Sequence, residues 1–149
     1  MTRILFVCHG NICRSTMAHY VMQHLVDKAG CADDFVIDSA ACTRDALGMT
    51  AHYGTRTILR RKGIYCGNHR ARLLMRADAD TFDYIIGMDQ ENLYDMKRIL
   101  GPAFKGKGSL LLDWTKEYRD VADPWYTDNF DETFDDVWRG CNAILERLK

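Results

Sequence analysis

The sequence predicts an α/β fold, a parallel sheet with helices on both faces. Three observations lead there. Short apolar runs alternate with segments of helical periodicity along the chain. The runs are apolar at every position rather than at every second one, as strands buried on both sides are. The segments between them suit short right-handed crossovers.

The elements follow in order. "RILFVC" (3–8) is the first strand, and His9 to Cys13 form a loop. A helix is expected from about Arg14 to Ala29. Met17, Val21, Leu25 and Ala29 recur at i, i+4 with Ala18, Met22 and Val26 alongside, which makes one buried face. Gly30 is a natural stop. "FVIDSA" (35–40) is the second strand, and a helix is expected from Thr50 to Lys62, ended by Gly63. "FDYIIGMD" (82–89) is the third strand. Asp89 can cap the helix that follows, to about Leu100, and Gly101 and Pro102 end it. "SLLLDW" (109–114) is the fourth strand. The last helix, about Asp131 to Leu148, carries Phe134, Val137, Trp138, Cys141, Ile144, Leu145 and Leu148 on one side. Repeats, low-complexity segments and linkers are absent, so residues 1–149 are expected to form a single domain.

Bulk properties exclude several classes. A chain of 149 residues suffices for one good core. With 47% hydrophobic and 28% charged residues it is not a disordered chain. A net charge of −1 argues against general nucleic-acid binding, which needs a basic surface. The charges are nonetheless sorted. Arg56 to Arg76 holds seven basic residues and no acidic one, and Asp120 to Asp136 holds seven acidic residues and no basic one. Most of these are expected on solvated faces, with steering of a charged partner as the alternative. "ILFVC" is far shorter than a signal core or a membrane span, so a cytoplasmic protein without a membrane partner is expected. The six cysteines (8, 13, 31, 42, 66, 141) then read as reduced thiols.

Chemistry concentrates in "VCHGNICRST" (7–16), between the first strand and the first helix. A helix N-terminus leaves backbone N–H groups unpaired and carries positive partial charge. A loop curling onto it makes an anion cradle. Gly10 and Asn11 both tolerate the positive φ such a turn needs. Arg14 supplies a planar fork that matches two phosphate oxygens. In that field Cys8 is expected to react as a thiolate, with Ser15 or Thr16 adding a hydroxyl. The pattern points to cysteine-dependent cleavage of phosphate esters. Zinc held by Cys8, His9 and Cys13 with Cys66 and His69 is the rival, but the spacing is unusual and Arg14 is a poor neighbour for a cation. His9 has no evident role beyond surface decoration or the pocket rim. In parallel sheets ligands sit beyond the carboxyl ends of the strands, where Cys8, Ser39 and Asp89 are all predicted.

With "DPWY" (123–126) added to "VCHGNICRS", the chain resembles the low-molecular-weight protein tyrosine phosphatases. "IDSAACT", "HRARLL" (69–74) and "FDYIIGMDQENLYDM" (82–96) fall in that family's order and spacing. The resemblance implies a doubly wound sheet of four parallel strands in the order 2-1-3-4. It implies hydrolysis of phosphotyrosine and aryl phosphate monoesters through a cysteinyl phosphate. Phosphotyrosine proteins are then the substrates and inorganic phosphate the product, with neither metal nor cofactor. Cys8 matches the nucleophile, Arg14 the phosphate clamp and Asp123 the general acid. His9, Gly10, Asn11, Ile12, Cys13, Arg14 and Ser15 match the phosphate loop. Asn11 matches the residue that holds the loop in shape, with Ser39 as its partner and His69 in the same network. Ser15 matches the hydroxyl on the thiolate, and Asp89 a carboxylate near the acid. Trp125 and Tyr126 match the aromatic wall beside the phenyl ring. Cys13 matches a second loop cysteine able to trap oxidised Cys8 as a disulfide.

There are departures: His9 for an apolar residue, Thr16 for proline, Ala41 for glycine and Asp45 near the place of a pocket aromatic. "HYGTR" (52–56) resembles the form found in some bacterial members. Two neighbours of the same fold remain as alternatives. Arsenate reductases need two further cysteines after the third strand, where this chain has none. Protein arginine phosphatases resemble this loop but carry threonine where this chain has Ile12, and isoleucine favours a phosphotyrosine pocket.

Overall fold

The computed structural model describes residues 1–149 and contains four strands: β1 (Thr2–Cys8), β2 (Phe35–Ala41), β3 (Tyr84–Gly87) and β4 (Gly108–Leu110). All are parallel, in the order β2-β1-β3-β4. This is the order the family resemblance implied. β1 is central, with Ile4 between Ile37 of β2 and Tyr84 of β3. The helices are α1 (Arg14–Lys28), α2 (Tyr53–Arg61), α3 (Asp78–Thr81), α4 (Gln90–Leu100), α5 (Pro124–Thr127) and α6 (Phe130–Leu148).

β1 is apolar throughout because it serves two cores. Ile4, Phe6 and Cys8 pack with Met17 and Val21 of α1 and Val137 and Ile144 of α6. Leu5 and Val7 pack on the other side with Leu74, Ile85, Met96 and Leu100. A strand covered on both faces has no polar face to show in its sequence. Gly140 lets α6 approach the 3₁₀ turn Leu111–Asp113, where a Cβ would lie 2.5 Å from Leu111 Cγ.

Several boundaries differ from the sequence expectation. The fourth strand ends at Leu110 rather than running to Trp114. The Asp113 carboxylate takes the Leu110 N–H at 3.0 Å and closes the 3₁₀ turn, so Leu111 and Leu112 enter the core beside α6. The third strand spans only Tyr84–Gly87, and the preceding α3 carries no periodicity because it is a single turn. α2 begins at Tyr53, not Thr50, because His52 caps it: His52 Nδ1 accepts the Gly54 N–H at 2.9 Å. Pro124–Thr127 forms one short helical turn that the sequence analysis did not assign. No helix is long and apolar enough to cross a membrane.

Most of the charged runs lie on solvated faces as expected, and a few of their members are paired. Asp136 is 3% exposed and held by Arg119 and Arg139 at 2.9 and 2.7 Å. Arg72 bridges Asp38 and Asp78, each at 3.1 Å, and Arg61 joins Asp131 at 3.1 Å. Only the Arg61–Asp131 pair, between α2 and α6, joins the two oppositely charged segments.

Candidate active site

The loop after β1 is shaped by where its carbonyls go. Cys8 O accepts from Cys42 N at 2.9 Å, and His9 O from Thr43 N and Oγ1 at 3.1 and 3.0 Å. Asn11 O takes the Thr16 hydroxyl at 2.7 Å and Ile12 O the His52 N–H at 2.8 Å. Cys13 O accepts from Met17 N at 3.1 Å and the Thr55 hydroxyl at 3.2 Å. With its carbonyls tied outward, the loop keeps N–H groups for its inner side. Two of them reach Cys8 Sγ: Asn11 N at 3.3 Å and Ser15 N at 3.4 Å.

Ser15 Oγ lies 3.0 Å from the same sulfur. The Asn11 side-chain amide donates to Ser15 Oγ at 2.8 Å, leaving the hydroxyl proton for Cys8. Asn11 sits at φ 59°, as its residue type allows. Its Oδ1 accepts from His69 Nε2 at 2.9 Å and Arg72 N at 3.3 Å. Gly10 differs from expectation. It is not among the positive-φ residues, and a Cβ there would make only ordinary contact, 3.7 Å from Ala46 Cβ. The turn strain falls on Asn11 alone. Ser39 also differs: its hydroxyl bonds His19 Nδ1 at 2.9 Å instead of Asn11, one step further out in the network.

Arg14 is 2% exposed. Its Nη1 donates to Asp89 at 2.6 Å and to Val121 O at 2.9 Å, and its Nη2 makes a long contact to Asp123 at 3.4 Å. Nε has no partner, alone among buried side-chain nitrogens and oxygens. Burial opposes the Arg14 charge, but Cys8, Asp89 and Asp123 outweigh it and hold the guanidinium protonated. Asp89 does two jobs, since its other oxygen caps α4 through Asn92 N at 2.7 Å. Asp123 is extended before Pro124, and its Oδ1 caps α5 at Trp125 N, 3.0 Å away.

A cleft of about 650 Å³ opens over the loop, and Cys8, Ile12, Cys13 and Asp123 line it. Trp125 and Tyr126 form one wall, 61% and 82% exposed. His9 finds a partner here: its Nε2 meets Asp45 Oδ2 at 2.7 Å across the rim. Sequence reasoning missed Met49, Tyr53, Arg56, Arg70 and His52 in this cleft. His52 edges onto Trp125 at 5.7 Å and stacks on Phe130 at 5.2 Å. "HYGTR" drew attention as a departure, but no local pattern shows that it faces Trp125.

All six cysteines are free thiols. Burial, then the charges of Cys8 and Asp123, push the Cys13 thiol up to about 12. The zinc grouping weighed from the sequence does not assemble. The residues with ligand atoms close enough for a metal are instead His19, Asp38 and His69. Both histidines are pushed down by burial, His19 to about 4.

A parallel α/β sheet with a cysteine–arginine anion loop between its central strand and first helix defines a narrow class of proteins. The chain belongs to the low molecular weight phosphotyrosine protein phosphatase family, whose model matches residues 3–149. It is 39% identical over 153 residues to the low molecular weight protein-tyrosine-phosphatase YfkJ of Bacillus subtilis, covering 100% of this chain and 97% of that one. The crystal structure of YfkJ superposes with a TM-score of 0.95 over 99% of this chain and 94% of that chain. The Streptococcus pyogenes low molecular weight protein tyrosine phosphatase gives 0.90 at 37% identity, covering 100% and 94% of the two chains. A Drosophila arginine phosphatase also gives 0.90, at 30% identity and 100% and 98% coverage.

Proposed function

We propose that residues 1–149 act as one cytoplasmic protein tyrosine phosphatase domain that cleaves phosphotyrosine and aryl phosphates through a cysteinyl phosphate. The observation that carries this is the state of Arg14. Its Nη1 is locked by Asp89 and Val121 O, while the Nε–Nη2 edge holds only the long contact to Asp123. A buried guanidinium N–H without an acceptor costs roughly 1–3 kcal/mol or more. An anion bound in the loop recovers that cost through two parallel hydrogen bonds.

The reaction follows from the positions. Cys8 Sγ attacks phosphorus, an S–P bond forms and the P–O bond to the phenol breaks. Arg14 and the loop N–H groups hold the charge that develops on the phosphoryl oxygens. Asp123 gives its proton to the leaving phenolate. It then takes one from water, whose oxygen attacks phosphorus, breaks the S–P bond and releases inorganic phosphate. Such proton transfer contributes roughly 10²–10⁴-fold. Trp125 and Tyr126 supply the aromatic face for the phenyl ring.

The test is turnover of para-nitrophenyl phosphate in EDTA, followed by phosphotyrosine and phosphoarginine peptides side by side. Cys8→Ser is expected to bind vanadate or phosphate yet lose turnover; retained turnover sinks the mechanism. Preference for phosphoarginine overturns the substrate assignment, a live comparison given the likeness to the Drosophila arginine phosphatase. Ile12, 8% exposed at the cleft, favours the phenyl ring.

A further inference from the structure

His19 of α1, Asp38 of β2 and His69 lie outside the cleft, and each brings a ligand atom within 4.8 Å of the others. Hydrogen bonding fixes the tautomer of His69. The Asn11 amide nitrogen is committed to Ser15 Oγ, so Asn11 Oδ1 faces His69 Nε2 at 2.9 Å. A carbonyl oxygen only accepts, so Nε2 carries the proton and Nδ1 keeps its lone pair. That lone pair lies 3.7 Å from Asp38 Oδ1. Two acceptors that face each other repel, and the gap between them suits a cation. His19 adds a second imidazole, edge-on to His69 with ring centroids 5.0 Å apart.

Each group is already oriented from behind. Asn11 holds His69, Ser39 Oγ holds His19 Nδ1 at 2.9 Å, and the Ser39 N–H and Arg72 hold Asp38 at 2.8 and 3.1 Å. Histidine ligands are characteristically oriented in this way by a bond at the other ring nitrogen. Arg72 is the adverse neighbour, but Asp78 grips it at 3.1 and 3.2 Å and offsets its charge.

We propose that His19, Asp38 and His69 bind a divalent transition-metal ion of the Zn²⁺ type, with a water completing the coordination. Two imidazoles and one carboxylate are a standard ligand set for such an ion. Bonds of about 2.0–2.1 Å set tetrahedral ligands roughly 3.3 Å apart, so the side chains close in by up to about 1.5 Å. The chemistry proposed above has no use for this metal. Its effect is structural: a cation on Nδ1 strengthens the Nε2–H bond to Asn11 and so stiffens the phosphate loop.

Cobalt titration tests this independently of the reaction. Co²⁺ is added to the Cys8→Ser protein, which removes the loop thiolate as a competitor. One equivalent is expected to bind with the visible bands of a nitrogen–oxygen site, without a thiolate-to-cobalt charge-transfer band, and Zn²⁺ should displace it. Adding Asp38→Asn or His19→Phe should weaken binding at least tenfold. If either variant fails to fold, the intact protein still decides by NMR. Zn²⁺ should shift the ring resonances of His19 and His69 and leave those of His9, His24 and His52 in place. A charge-transfer band, no binding, affinity unmoved by both substitutions, or shifts confined to other histidines overturns the proposal.

Discussion

Asn11→Ala should separate the cost of holding the phosphate loop from the cost of folding. Asn11 is 1% exposed and makes side-chain bonds to Ser15 Oγ, His69 Nε2 and Arg72 N at 2.8, 2.9 and 3.3 Å. At about 1 kcal/mol each, losing these costs about 3 kcal/mol. Its φ of 59° suits asparagine, and alanine there adds about 1 kcal/mol. The sum, about 4 kcal/mol, is smaller than the 5–15 kcal/mol typical of a domain, so the variant should fold but unfold at lower urea. The kinetic effect should exceed the population effect. Asn11 N is a donor to Cys8 Sγ, and a sulfur misplaced by about 1 Å loses on the order of 10²-fold in rate. Urea denaturation and saturating kinetics on para-nitrophenyl phosphate read the two quantities. A stability loss under 1 kcal/mol refutes the network argument. A full stability loss with unchanged kcat shows that the network serves the fold and not the sulfur.

Asp123→Ala should cut kcat on phenyl phosphate by roughly 10²–10⁴-fold; a loss no larger than that of a surface change means the acid is misplaced. Cys13, with its thiol pushed up to about 12, should stay protonated at pH 8 and resist iodoacetamide in the folded protein, as peptide mass mapping reads. Oxidising Cys8 removes one of the charges that keep Cys13 protonated. Cys13 should then displace water from the Cys8 sulfenic acid to give a disulfide, and Cys13→Ser should recover less activity after peroxide and reduction than the parent. Equal recovery ends that role. His9→Leu should change KM among phosphopeptides with kcat held within a few-fold, because the His9–Asp45 pair stands at the rim. Its partners are 40% and 71% exposed, so stability should move by less than about 1 kcal/mol.

Wherever the information was local, it was legible in the sequence. The continuous apolar run of β1 announced a strand with a core on each side. The cysteine, five-residue gap and arginine announced an anion loop, because the strand end and helix start that shape it are adjacent in the chain. Asp89 read as a helix cap and is one. Short elements were lost, α3 and α5 among them, because a single turn shows no period. β4 was overextended because three buried leucines look alike in a strand and in a 3₁₀ turn.

What tertiary structure alone decided lies at long chain separation. Arg14 is gripped by groups 75, 107 and 109 residues away, and no pattern around "CRST" shows which oxygens they are or that Nε is left free. His9 meets Asp45 only because the segment after β2 folds over the loop. His19, Asp38 and His69 come from a helix, a strand and a loop, and their cluster exists only once the sheet is wound. The sequence by itself determined the alternation of strands and helices and the reactive loop, since both are written in neighbouring residues, whereas the strand order came from the family resemblance. The grip on Arg14, the rim of the cleft and the histidine cluster were settled by packing, which places side chains in a way that local periodicity cannot encode.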